Sequence, residues 1–89
     1  MKISKRPPNH LRRYRKQAGL QQSQVAEMLG LKSTALISRW ENNFSYPDLI
    51  NAFKLAVAYG VMVDALYFDL REAVREDVFG KAPMLGKLK

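Results

Sequence analysis

The polar side chains best placed for chemistry lie on one face of a short segment, residues 35–42. Counting around a helix separates the segment into an inward group, Ile37, Trp40 and Glu41, and an outward group, Ala35, Ser38, Arg39 and Asn42. Arg39 can hold guanine O6 and N7 with two hydrogen bonds, and the Ser38 hydroxyl can bond to a base edge or a phosphate. The spacing therefore predicts a helix with one buried face and one face that can contact a nucleic acid.

A second segment with helical periodicity comes directly before it. Val25 and Leu29 lie one turn apart, and Ala26 offers a small side chain where another helix can cross closely. Gly30 follows the last periodic residue, which is typical of a helix end. Two short helices joined at a glycine turn are typical of the helix-turn-helix, in which the second helix lies in the DNA major groove.

The two segments together resemble a known family. The run LQQSQVAEMLGL at residues 20–31, followed by ISRWEN at residues 37–42, is similar to the lambda-repressor-like, or XRE/Cro-type, helix-turn-helix family. The resemblance covers about residues 11–70, with one residue more between Leu31 and Ile37 than the commonest family spacing. It implies an all-α fold, a compact five-helix DNA-binding domain whose recognition helix reads double-stranded DNA.

The resemblance also implies which residues bind DNA. Gln22, at the start of the first helix of the motif, would dock on a phosphate, and the loop after the recognition helix would pass along the sugar-phosphate backbone. The complete expected set is Gln22, Lys32, Ser33, Thr34, Ala35, Ser38, Arg39, Asn42, Asn43 and Tyr46. Phe44, in the same loop, has two possible contacts that the sequence does not separate: the N-terminal arm, residues 1–9, and DNA.

Two further expectations concern how the recognition helix is held. Ser33 or Thr34 should cap its first turn. The resemblance implies an ion pair between Arg15 and Glu41 that would tie the first helix to the recognition helix. The alternative is two solvated charges, since exposed pairs contribute only about 0 to 1 kcal/mol.

The positive charge is concentrated at one end of the chain. The formal net charge is +7. Seven basic residues and no acidic ones occur among the first sixteen: Lys2, Lys5, Arg6, Arg12, Arg13, Arg15 and Lys16. The remaining residues carry eight basic and eight acidic side chains and balance. Such asymmetry favours a polyanionic partner, because basic residues that neutralise phosphates release condensed counterions, although a merely solvated arm is the alternative.

Composition limits the other classes of function. The 89 residues suit one domain, and the chain has no cysteine and a single histidine, so neither disulfides nor a multi-histidine metal site is expected. There is no apolar run long enough to cross a membrane and no nucleophile-base-acid set or glycine-rich phosphate loop. A soluble cytoplasmic protein that is not an enzyme and has no cofactor is expected.

The order of the chain predicts three parts. Residues 1–9 form a flexible basic arm with two prolines, ended by Asn9 as a helix N-cap, and residues 10–70 form the domain, with the helix-turn-helix at about 21–42. Residues 71–89 form a C-terminal extension, either a flexible tail or a dimerisation element, in which residues 71–77 either continue the fifth helix or begin a sixth. The arm either contacts DNA or is simply disordered.

Two apolar stripes close the predicted domain. The fourth helix, residues 48–59, is expected to bury Leu49, Ala52, Phe53, Ala56 and Tyr59 and to end at Gly60. The fifth is expected to use Val61, Val63, Leu66, Tyr67 and Leu70, with Asp64 near its start. Tyr67, Phe68 and Leu70 are interpreted as apolar surface for a second copy.

These observations predict a sequence-specific regulator of transcription, a repressor of prokaryotic or phage type that acts by occupying its operator. A homodimer on two half-sites about 34 Å apart is expected for this motif. The alternative is an antitoxin that binds DNA and also a partner protein through its tail. A protein-interaction module and an RNA-binding protein are weaker rivals, because the arm is basic and no aromatic-rich stacking surface is evident.

Overall fold

The computed structural model describes residues 6–80, and within this range the chain forms six α-helices and no strand. The helices are α1 (Leu11–Gln17), α2 (Gln22–Leu29), α3 (Ala35–Glu41), α4 (Leu49–Tyr59), α5 (Val63–Leu66) and α6 (Phe68–Gly80). The all-α prediction is confirmed, but the described part has six helices instead of the five expected. The helix-turn-helix prediction corresponds to α2 and α3.

The core is made by one face of each of the first five helices. Its buried members are Leu11, Val25, Ala26, Leu29, Ile37, Trp40, Leu55, Ala56, Tyr59, Leu66 and Tyr67. Ile37 is 1% exposed and Trp40 is 3% exposed, so the inward face predicted for the recognition helix is confirmed. Because a helix places residues three and four apart on the same side, burying these two turns the positions between them outward.

Local sequence explains where the helices begin and end. The Asp48 carboxylate accepts a hydrogen bond from Asn51 N over 2.8 Å and caps α4. Asn9 Oδ1 accepts from Leu11 N over 3.0 Å, although His10 occupies the N-cap position of α1. Gly30 ends α2 at φ 76°, in the left-handed region that glycine adopts without steric cost.

The buried face of α4 differs from the predicted one. Ala52, Ala56 and Tyr59 are buried as expected, but Leu49 is 69% exposed and Phe53 is 54% exposed. The chain buries Leu55 in their place. Apolar side chains occur on every side of this helix, so the periodicity could not select a single stripe. The exposed side chains line two shallow apolar grooves on either side of α4.

The predicted fifth helix is divided in two. α5 has only four residues, and the chain leaves helical geometry at Tyr67, with φ −127° and ψ 44°, before α6 begins at Phe68. The break allows Leu66 and Tyr67 to be buried together, so Tyr67 is core and not surface for a second copy. Phe68 is exposed and Leu70 is half-buried. Residues 71–80 continue α6, and residues 81–89 of the predicted extension lie outside the described residues.

Candidate nucleic-acid interface

The predicted interface is built on an ion pair that joins α1 to α3. Arg15 Nε lies 2.6 Å from Glu41 Oε2, and Arg15 Nη2 lies 3.2 Å from Glu41 Oε1. The Glu41 side chain is 1% exposed and the Arg15 side chain is 10% exposed. The hydrogen bonds to Glu41 raise the pKa of the Arg15 guanidinium above its ordinary value. The pair implied by the family resemblance is therefore confirmed as a buried contact.

The Glu41 carboxylate also receives hydrogen bonds from two other side chains. Gln22 Nε2 donates to Oε1 over 3.0 Å, and Arg12 Nε donates to the same oxygen over 3.3 Å. Burial alone would raise the pKa of Glu41, but the bonds from Arg15 and Gln22, the charge of Arg15 and the bond from Arg12 together lower it. The carboxylate is therefore ionised and matched by two guanidinium groups, so its charge does not oppose an approaching phosphate.

The bond to Glu41 gives Gln22 a structural role in the protein without DNA. Its side chain is half-buried and linked to Glu41 across the motif, so it joins α2 to the end of α3. The family resemblance implied that this amide docks on a phosphate. Its contact with a phosphate stays a prediction, because the amide must share its donors with Glu41 or exchange partners on binding.

The outward face of α3 presents the side chains that the sequence singled out. Ala35, Arg39 and Asn42 are exposed and Ser38 is half-buried. Asn42 Nδ2 donates to Ser38 Oγ over 3.2 Å, and Asn42 Oδ1 accepts from Arg12 Nη2 over 3.0 Å. These bonds connect Arg12 of α1 to Asn42 and Ser38 along one edge of α3, and Arg39 lies beside them.

The first turn of α3 carries the remaining predicted contacts. Lys32 and Ser33 are exposed, and Thr34 is half-buried at the N-cap position. Ser33 Oγ accepts a hydrogen bond from Ala35 N over 3.3 Å, whereas Thr34 makes no side-chain cap bond. Of the two capping residues considered, Ser33 is thus the one that bonds to the helix.

The loop after α3 holds the described part of the basic arm. Asn43 adopts a left-handed conformation, with φ 65°, and its Nδ2 donates to Arg6 O over 3.0 Å and to Pro7 O over 2.9 Å. Asn9 Nδ2 donates to Trp40 O over 2.9 Å and to Asn43 Oδ1 over 3.3 Å. Both polar atoms of the Asn43 amide are therefore engaged within the chain, and the arm leaves the domain beside the end of the recognition helix.

Tyr46, expected to contact the DNA backbone, lies between the arm and the core. The Arg6 guanidinium stands over its ring, 5.3 Å from the ring centre. Its other contact is an edge-on packing against Tyr67, with the ring centres 5.7 Å apart. Tyr46 is 40% exposed, so part of the ring remains accessible.

Two residues outside the predicted set belong to this surface. Arg12 bonds to both Glu41 and Asn42, and it precedes Arg15 by three residues, a spacing that places both arginines on neighbouring parts of α1. The spacing of these two arginines could have indicated from the sequence that Arg12 also belongs to this surface. Phe44 is 63% exposed, and the Arg39 guanidinium lies over its ring. No sequence pattern distinguishes this contact from the alternatives left open above.

Comparisons with known proteins agree with the geometry. Residues 11–66 match the family described as helix-turn-helix. No curated protein is similar enough to count as a match. In the part of the chain that the structure describes, no helix has the length and apolar character needed to cross a membrane. With its match spanning more than half of the chain, over the helices that carry Arg15, Glu41 and Arg39, this chain belongs to the XRE/lambda-repressor-like helix-turn-helix family of DNA-binding regulators.

Proposed function

We propose that this protein is a sequence-specific regulator of transcription of prokaryotic or phage type, which acts in the cytoplasm by occupying an operator in double-stranded DNA. The observation that carries the proposal is the division of α3 into two faces. Ile37 and Trp40 are buried, whereas Arg39 is exposed on the opposite side, where a helix in the major groove would meet base edges.

The charges around α3 support a polyanionic partner. Glu41, the only acidic residue of α3, is buried and paired. The helix and its neighbourhood present three exposed basic residues: Arg39 within α3, Lys32 just before it, and Arg12 of α1, which bonds to Glu41. Their positive charges favour approach to the phosphates on either side of a groove, while hydrogen bonds to base edges from α3 supply the sequence preference.

A pair of copies fits this function, because dimers with this motif read two half-sites roughly one helical turn apart. α4 offers an apolar surface for the pairing: Ile50 is 65% exposed, Phe53 54% and Val57 80%. Met28 of α2 borders the same groove. Of the described residues that line this groove, Lys54 is the one that is charged, and an exposed patch that is otherwise apolar marks an interaction surface. We infer that a second copy covers this face, since an apolar stripe that packs on itself forms a closed, symmetric interface.

The test of the proposal is selection of bound sequences from random DNA duplexes. The wild-type protein should enrich one motif, and R39A should lose preference at one position of it, at a cost of about 1 to 3 kcal/mol. R75A is the matched control, because Arg75 is an equally charged, exposed residue on α6 and its loss should leave the motif unchanged. Enrichment of no motif at low salt would overturn the proposal.

A further inference from the structure

An exposed aromatic ring lies directly beside the arginine assigned to base reading. Phe44 follows the end of α3 by three residues and is 63% exposed. The Arg39 guanidinium carbon lies 5.9 Å from the centre of its ring. Phe44 N also donates to Arg39 O over 2.9 Å. The backbone bond fixes the start of the loop, so the main chains of Phe44 and Arg39 are held close together.

The partner that Arg39 uses determines what its donors can do. Arg15 and Arg12 direct N–H groups at the Glu41 carboxylate, which occupies those donors. A guanidinium over an aromatic face is attracted through the π cloud and spends no N–H donor on the contact. Among residues 6–80, no carboxylate forms an ion pair with Arg39. Its five donors thus stay available to an outside acceptor.

We propose that Phe44 is a positioning residue for Arg39 and, through it, determines the base preference at the position that Arg39 reads. Stacking limits the rotamers of a long, exposed side chain before DNA arrives, so less conformational entropy is lost when two bonds to a guanine edge form. The proposal rests on the proposed function, because the contact between Phe44 and Arg39 can affect base preference only when Arg39 reads a base.

The surroundings of Phe44 argue against a purely structural role. The core is formed by other residues, and a side chain this exposed contributes little to it. The described arm does not require Phe44 as a support, because Arg6 stacks on Tyr46 and the arm carbonyls bond to Asn43. The aromatic contact that the structure records for Phe44 is the one with Arg39.

The stack can be tested without DNA. In the free protein, ring currents from Phe44 should shift the NMR signals of the Arg39 side chain upfield. F44L should abolish the shift and F44W should preserve it. F68L, which removes another exposed ring at the start of α6, should leave the Arg39 signals unchanged. Arg39 signals that are the same in wild type and F44L would overturn the proposal while leaving the proposed function untouched.

The effect of Phe44 on base preference is tested by repeating the selection experiment with the same variants. F44L should lower the preference for the base read by Arg39 by about twofold to fivefold. Its binding to unrelated DNA at low salt should equal that of the wild type, and F44W should restore the preference. A uniform loss over all sequences would overturn the proposal in favour of a structural or phosphate-contact role. If the wild type shows the ring-current shift but no base preference, the positioning role fails together with the proposed function.

Discussion

The carboxylate of Glu41, the last residue of α3, accepts hydrogen bonds from Arg15 of α1 and Gln22 of α2. One buried side chain therefore connects the first three helices at the point where the recognition helix ends. Arg15 Nη1 also donates to Leu20 O over 3.0 Å, which fixes the connection between α1 and α2. The direction in which α3 presents its outward face depends on this junction.

Removing the charge of Glu41 should destabilise the fold strongly. E41Q leaves Arg15 buried without its counter-charge, and breaking a buried pair on one side costs about 3 to 5 kcal/mol. Urea unfolding at neutral pH measures the loss. E72Q is the control, because Glu72 pairs with Arg71 on the surface of α6 and exposed pairs contribute about 0 to 1 kcal/mol. Equal midpoints for the two variants would show that the Glu41 junction adds no more than a surface pair.

The same junction should make stability depend on pH. Burial raises the pKa of Glu41, but the hydrogen bonds from Arg15, Gln22 and Arg12 and the charge of Arg15 together bring it below its ordinary value of 4.5 in the folded protein. A carboxylate whose pKa is lowered by folding stabilises the protein fully at pH values above its ordinary pKa. This stabilisation is lost as the pH falls through the pKa of the folded protein. The difference in unfolding free energy between wild type and E41Q should therefore narrow progressively below about pH 4.5. A difference that is constant from neutral pH to strongly acidic pH would contradict the lowered pKa.

The parts of the fold that could be predicted are those set by local periodicity. Ile37 and Trp40 were placed in the core from their spacing, and the glycines at 30 and 60 correctly marked the ends of α2 and α4. The buried face of α4 could not be predicted, since Leu49 and Leu55 are equally apolar and only packing against α2 and α5 distinguishes them.

Side-chain partners were harder to predict than helices. Asn43 bonds to Arg6 and Pro7, which precede it by 37 and 36 positions, and no local pattern contains that pairing. Gln22 was placed at the start of a helix correctly, but its partner lies 19 positions later. The Arg15 to Glu41 contact was available only through the family resemblance. Sequence therefore indicated which side chains of α3 are exposed better than it indicated the hydrogen bonds among them.

Asn43 should control the attachment of the arm. N43G removes the amide that binds the carbonyls of Arg6 and Pro7, and glycine accepts the φ of 65° without strain. Amide hydrogen exchange at Arg6 and Asn9, which flank two prolines without N–H groups, should become faster, and the ¹⁵N heteronuclear NOE of these two residues should fall, while exchange in the core stays slow. N43A removes the same amide and adds backbone strain of about 1 to 2 kcal/mol, so it should loosen the arm equally but also lower the melting temperature. Arm dynamics unchanged in N43G would mean that Asn43 does not hold it.

Self-association should depend on the outer face of α4. V57E places a charge in the apolar groove beside Phe53 and Met28, at a residue that is already 80% exposed, so folding should be unaffected. Sedimentation equilibrium should show a weaker dimer than in the wild type. L49E is the matched control, because Leu49 is 69% exposed but lines the other groove, with Tyr46 and Tyr67. A dimer weakened by L49E and not by V57E would assign the pairing to that second groove.

The basic arm should act through phosphates and not through bases. Replacing Lys2, Lys5 and Arg6 by glutamine removes three charges from the N-terminal arm, in which the carbonyl of Arg6 is bonded to Asn43. Each phosphate contact contributes about 0.9 to the slope of log K against log salt concentration, so the slope should flatten by up to about 2.7. Replacing Lys81, Lys87 and Lys89 by glutamine removes three charges from the opposite end and should leave the slope unchanged. In the arm variant, the affinity for all DNA sequences should fall to the same extent. A loss confined to the selected motif would instead indicate that the arm reads a groove, since a phosphate contact carries no sequence information of its own.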